Sequence, residues 1–123
     1  MPMPQPPISD ISQEHALEFE ITPEEVKSLR DRATGFTLLD VREPWELQTA
    51  RIEGTVNIPM GELPSRAHQE LDPERHIVVL CHHGVRSLNV THWLRQQGFE
   101  QVQSMRGGID AWSRAVDTKV PVY

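Results

Sequence analysis

The chain is short of cysteine, of aromatic rings and of positive charge, and each shortage closes off a class of protein. A single cysteine, Cys81, cannot form an internal disulfide, so no disulfide framework supports this fold. The six histidines and that one cysteine contain no CxxC or HxxxH pair, so the common zinc spacings are missing. Lys and Arg number 12 against 18 Asp and Glu, a formal charge of -6, which is a poor electrostatic footprint for nucleic acid or an anionic membrane surface. No apolar run approaches the length of a bilayer span. The opening Met1-Pro2-Met3-Pro4-Gln5-Pro6-Pro7 has neither a basic n-region nor an apolar h-region. It reads as an extended, polyproline-like arm over residues 1–16, and a reduced, cytoplasmic setting is expected.

What is present is the material of one globular core. The chain has 123 residues, 37% of them hydrophobic and 24% charged, enough to bury a core without a staple. Residues 17–123 carry an alternation of strand and helix signals. Leu17-Glu18-Phe19-Glu20-Ile21 alternates apolar and polar like a short strand, and Thr22-Pro23-Glu24-Glu25 has the cap, N1 proline and capping-box glutamate of a helix start. That helix should run to about Arg32 and stop near Gly35. Phe36 to Val41, Val56 to Ile58, His76 to Leu80 and Val102 to Met105 have strand character. Helices are expected from Pro44, over 63–71, over 86–97 and over 109–115. Trp45, Trp93 and Trp112 fall on helices and are expected in the core. This pattern predicts an α/β fold, a parallel sheet flanked by helices on both faces.

Chemistry is expected where His76-Ile77-Val78-Val79-Leu80, the most strand-like segment, ends and a helix begins. Ligands in open α/β sheets sit beyond the carboxyl ends of the strands, and Cys81-His82-His83-Gly84-Val85-Arg86-Ser87 lies there. Successive backbone N–H groups, tightened by Gly84, can form an anion nest, and the following helix adds its positive end. An ordinary cysteine is only about 3% thiolate at pH 7, so these groups and the Arg86 guanidinium would assist a nucleophilic sulfur. The competing view is that a lone cysteine is a small buried hydrophobe. Its setting among polar residues and a glycine favours the nucleophile, with the thiol exposed in a cup of inward amides. His82 and His83 could join Cys81 on a metal, but adjacent residues of a tight loop should point apart, so no metal and no cofactor are expected. Asp40, at the end of a strand expected beside that of Cys81, could anchor Arg42 or the loop; a simple turn carboxylate explains it equally well. Arg51 and Arg106 read as solvated loop cations.

These segments together resemble the rhodanese-like domain, specifically the single-domain thiosulfate sulfurtransferase type. Leu38-Leu39-Asp40-Val41-Arg42-Glu43-Pro44-Trp45-Glu46 is similar to its first signature and Ile52-Glu53-Gly54-Thr55-Val56-Asn57-Ile58-Pro59 to its second. Cys81 to Ser87 resembles the active-site loop, and Gly98-Phe99 with Gly107-Gly108-Ile109-Asp110-Ala111-Trp112 the closing motif. The resemblance covers residues 17–123. It implies a five-stranded parallel sheet, Cys81 as the persulfide-forming nucleophile, and the amides of His82, His83, Gly84, Val85, Arg86 and Ser87 around the transferred sulfur. Small sulfur-containing anions and a sulfur donor or acceptor protein are the partners implied. The tail Asp117-Thr118-Lys119-Val120-Pro121-Val122-Tyr123 resembles the end of rhodanese domains fused to ubiquitin-like-protein-activating enzymes. One departure is Ala50-Arg51-Ile52-Glu53-Gly54, where many members have Gly-His-Ile-Pro-Gly, so Arg51 replaces a structural histidine.

A cysteine phosphatase or arsenate reductase is the rival enzyme. Such phosphatases space Cys and Arg by five residues, whereas four separate Cys81 from Arg86, a tighter loop suited to one sulfur atom. A binding or sulfur-relay module is the other alternative.

Overall fold

A computed structural model describes residues 17–123; the Pro-rich arm assigned to residues 1–16 lies outside the described residues. Five short strands form one sheet: β1 (Glu20–Ile21), β2 (Thr37–Asp40), β3 (Val56–Asn57), β4 (Ile77–Leu80) and β5 (Val102–Met105). Their order is β1-β5-β4-β2-β3, and every pairing is parallel. Five α-helices connect and cover them: α1 (Pro23–Asp31), α2 (Pro44–Thr49), α3 (Leu63–Glu70), α4 (Val85–Gln96) and α5 (Gly108–Ala115). No helix among the described residues is long and apolar enough to cross a membrane.

The central strand explains the layering. All four residues of β4 are buried, and their side chains alternate between the faces as strand geometry demands. Ile77 and Val79 join Leu39 in a core closed by Leu63 and Ala67 of α3 and by Val90 and Leu94 of α4. Val78 and Leu80 join Leu38 in the opposite core, closed by Val26 of α1 and by Ile109 and Trp112 of α5. Cys81 continues the beat of β4 on the α3 and α4 side. Asp40 and Leu80 stand in register at the ends of β2 and β4, so the loops leaving those two strands are neighbours.

Two local expectations change, at the first strand and at Trp45. The first strand shrinks to Glu20–Ile21, because β1 is an edge strand paired only with Ser104 and Met105. Helix α1 ends at Asp31 with Arg32 as its C-cap, within a residue of the expected end, and both Ala33 (φ 52°) and Gly35 (φ 79°) are left-handed beyond it. Trp45 is 62% exposed instead of joining the core. The physical reason is that the six-residue α2 turns Glu46, its one buried residue, inward for a polar purpose described below. Trp112 is buried as expected, and Trp93 packs half-buried against the first core. After α5 the chain folds back: Val120 enters the second core and its carbonyl accepts the Ser113 hydroxyl. That return brings Tyr123 to the carboxyl edge of the sheet.

Candidate active site

Cys81 leaves β4 and the chain turns at once into α4. Gly84 caps that helix with a φ of 105°, a left-handed conformation glycine adopts without strain. No side chain caps the helix, so its first N–H groups are free for another acceptor. They meet the sulfur: the Gly84 amide donates to Cys81 Sγ at 3.0 Å and the Ser87 amide at 3.3 Å. The thiol donates to Ser87 Oγ at 3.3 Å, and that hydroxyl stands 2.7 Å from Ser104 Oγ on β5. Two of the six loop amides expected around the sulfur, those of Gly84 and Ser87, therefore face it. The expected exposure is absent: Cys81 is 1% accessible, because Sγ points back along the core face of β4 beneath its own loop.

Beside the cup lies a chain of ion pairs. Arg42 is fully buried, and its fork grips Asp40 through Nε (3.0 Å to Oδ1) and Nη2 (2.7 Å to Oδ2). The Arg42 amide also donates to Asp40 Oδ1, and the remaining guanidinium N–H groups reach the carbonyls of Glu46 and Ala50 and the Tyr123 hydroxyl. Burial works against the charge of Arg42, but the bonds to Asp40 and Tyr123 outweigh it and raise its pKa. Arg86 does not reach over the sulfur. Its two terminal nitrogens form a bidentate pair with Glu46, at 2.8 and 2.9 Å. Arg86, aided by the Glu43 amide and Tyr123, pulls the Glu46 carboxyl from 4.5 down to about 2 against the effect of burial. Tyr123 Oη accepts from Arg42 Nη1 at 2.8 Å and donates to Glu46 Oε2 at 2.8 Å, joining the two pairs.

The histidines overturn one expectation. The rings of His82 and His83 do not point apart: they stack with centroids 3.8 Å apart, because His82 is itself clamped flat against Tyr123. Among the described residues, His82, His83 and Asp110 bring one ligand atom each within 4.8 Å of one another. Two of the three are already engaged: His82 Nε2 donates to the Tyr123 main-chain oxygen, and Arg114 holds the Asp110 carboxylate and lowers its pKa.

The Rhodanese-like domain family model matches residues 22–115, which contain the Cys81 loop, Asp40 and Arg42. The chain belongs to the rhodanese-like domain family. A rhodanese-like/PpiC domain-containing protein 12 of Arabidopsis thaliana is 40% identical over 89 residues, covering 70% of this chain and 30% of its own. A putative sulfur carrier protein of Bacillus subtilis is 37% identical, covering 76% of this chain and 50% of its own. This chain thus spans at most about half the length of those two relatives. A thiosulfate sulfurtransferase, GlpE, of Actinobacillus pleuropneumoniae is 33% identical, with 78% and 87% covered. Among solved structures, a rhodanese-related protein from Thermoplasma volcanium superposes with a TM-score of 0.72 at 30% identity, covering 86% of this chain and all of its own.

On this rhodanese-like frame, the structure brings Cys81, Gly84 and Ser87 together, and sets Asp40 and Arg42 one strand away. Val85 is 70% exposed at the loop crest, and Arg86 bridges to α2. Arg51 is remote from the loop contacts: it pairs weakly with Glu53 and lines a cleft with Lys27, Arg30 and Lys119. Arg106 is an exposed partner of Glu20. Two residues of the network escaped the sequence-based site, Glu46 and Tyr123. Glu46 had a signal, since its carboxylate accepts the Glu43 amide as the N3 half of a capping box. Tyr123 had none, because its partners lie 41 to 81 positions away.

Proposed function

We propose that this rhodanese-like chain is a sulfurtransferase that moves a sulfane sulfur, from a donor such as thiosulfate, to a thiophilic acceptor through a persulfide on Cys81. The supporting observation is the pair of amides, from Gly84 and Ser87, aimed at Sγ from the start of α4. In the first half-reaction the Cys81 thiolate attacks the outer sulfur of thiosulfate. A new S–S bond forms, the old one breaks with its electron pair on the leaving group, and sulfite departs. Cys81 then carries a terminal persulfide anion, which gains the hydrogen bonds of the loop from His82 to Ser87 and the positive end of α4. In the second half-reaction cyanide or a thiol attacks the terminal sulfur, and Cys81 leaves as thiolate. A reducing, cytoplasmic setting suits this cycle, because the lone thiol returns to its free form at each turn.

Asp40 and Arg42 take a supporting role, holding the β2 end against α2 and the Tyr123 tail. A protein donor or acceptor is the second reading, favoured by the apolar Trp45 and Val85 exposed beside the loop and by likeness to a putative sulfur carrier. Mass spectrometry after thiosulfate treatment decides the main claim. One added sulfur on Cys81, removed by cyanide and absent from Cys81→Ala, is the expected outcome. An intact, unmodified thiol after treatment with thiosulfate and with an organic persulfide would refute it. Cyanide-dependent turnover in Cys81→Ala is expected to fall at least about 1,000-fold, since the sequence has no second cysteine to carry the persulfide.

A further inference from the structure

Tyr123 lies outside the stretch matched by the family model, yet its side chain ends inside the site. It makes four kinds of contact there. Its ring lies flat on His82, with centroids 3.8 Å apart and an interplanar angle of 2°. Its main-chain oxygen accepts His82 Nε2 at 2.6 Å. Its hydroxyl accepts from Arg42, which can only donate, so the hydroxyl hydrogen is committed to Glu46. The edge of Trp45 closes the outer side of the ring. The tail does not hang on these contacts alone, because Val120 is buried in the second core and Asp117 caps the Lys119 amide.

The two partners of Tyr123 stand at opposite ends of the loop. His82 follows Cys81 directly, and Glu46 holds Arg86 in the first turn of α4. Between them lie Gly84 and the helix start whose amides face the sulfur. We infer that Tyr123 is a positioning residue for sulfur transfer, bracketing the Cys81 loop through His82 on one side and through the Glu46–Arg86 pair on the other. The inference rests on the persulfide reading of Cys81 and adds a residue that touches neither the sulfur nor the donor. Two properties support it. Burial keeps the Tyr123 hydroxyl protonated to about pH 12, so its donor bond to Glu46 persists wherever the protein works. The carboxylate it meets is fully charged, and a hydrogen bond to a charged group is among the stronger ones.

The experiment separates the hydroxyl from the ring. Tyr123→Phe keeps the stack on His82 and removes only the bridge to Glu46; Tyr123→Leu removes both. Steady-state transfer from thiosulfate to cyanide is measured for each, alone and with Glu46→Gln. Tyr123→Phe should lower kcat roughly 3- to 10-fold with KM for thiosulfate within about twofold, the pattern of a group that orders the loop without binding substrate. In the Glu46→Gln background the same substitution should cost less than about twofold, because the pair it orders is already broken. Tyr123→Leu should be slower than Tyr123→Phe. A kcat for Tyr123→Phe within twofold of the parent overturns the inference, as does a full penalty that survives in Glu46→Gln. If the parent protein takes up no sulfur, the persulfide reading fails by itself. Alkylation of Cys81 by iodoacetamide then carries the test: a rate changed about threefold or more in Tyr123→Phe supports the bracket, and equal rates overturn it.

Discussion

At Gly108 the backbone runs with a φ of 64° directly beneath the Cys81 loop, and a methyl group there would collide with the carbonyl oxygens of Cys81 and His82. The obstacle is main chain on both sides, so no side chain can swing away to relieve it. Gly107, at a φ of 76°, faces the same problem from the Ala111 side chain. Gly108→Ala should therefore destabilise the fold by about 3 kcal/mol or more, combining left-handed strain with displacement of the loop. Urea denaturation measures the loss, and Cys81 alkylation should accelerate in the same variant. Neither consequence is visible in the sequence, where Gly107-Gly108 reads simply as a turn. Cys81 was legible because a strand, a glycine and a helix start flank it within a few positions. Its burial was not, since the alternation that points Sγ inward depends on where β4 ends.

Helix α1 shows an element whose sequence carries its own boundary. Thr22 Oγ1 accepts the Glu25 amide at 3.1 Å and the Glu25 carboxylate accepts the Thr22 amide at 2.9 Å, the reciprocal box expected from the motif. Thr22→Ala should cost about 1 kcal/mol, measured by thermal or urea unfolding, and leave the sulfur-transfer rate unchanged because α1 packs on the opposite face from Cys81. Strands β2, β4 and β5 and helices α3, α4 and α5 were likewise legible to within a residue or two, each from a local pattern of apolar spacing. The exceptions have tertiary causes. The edge strand β1 extends only as far as β5 offers a partner, and α2 exposes Trp45 because the ion pair with Arg86 claims its inward position. A helix of six residues has too few positions for periodicity to say which of them faces inward.

For the molecule as a whole, the strand order β1-β5-β4-β2-β3 decides what meets what, and no local pattern encodes it. It places β2 beside β4, which sets the Asp40–Arg42 pair against the loop of Cys81. The Glu46–Arg86–Tyr123 cluster then ties α2, α4 and the tail together, which gives the fold an acid-sensitive joint. Because the Glu46 carboxyl titrates near 2 instead of near 4.5, folding favours its charged form. Its contribution is complete above pH 4.5 and is lost as pH falls through about 2, amounting to no more than about 3 kcal/mol. Urea unfolding from neutral to acid pH should show the parent losing more stability across that window than Glu46→Gln does.

The amino end of α5 fastens the first two peptide groups of the loop from below, the Ile109 amide to the Cys81 carbonyl and the Asp110 amide to the His82 carbonyl. Both carbonyl oxygens are thereby occupied by donors of α5, while the Gly84 and Ser87 N–H groups donate to the thiol. An atom bearing extra electron density on Cys81 consequently sees a lining sorted by polarity, with the repelling lone pairs of those two peptides already spent on another helix.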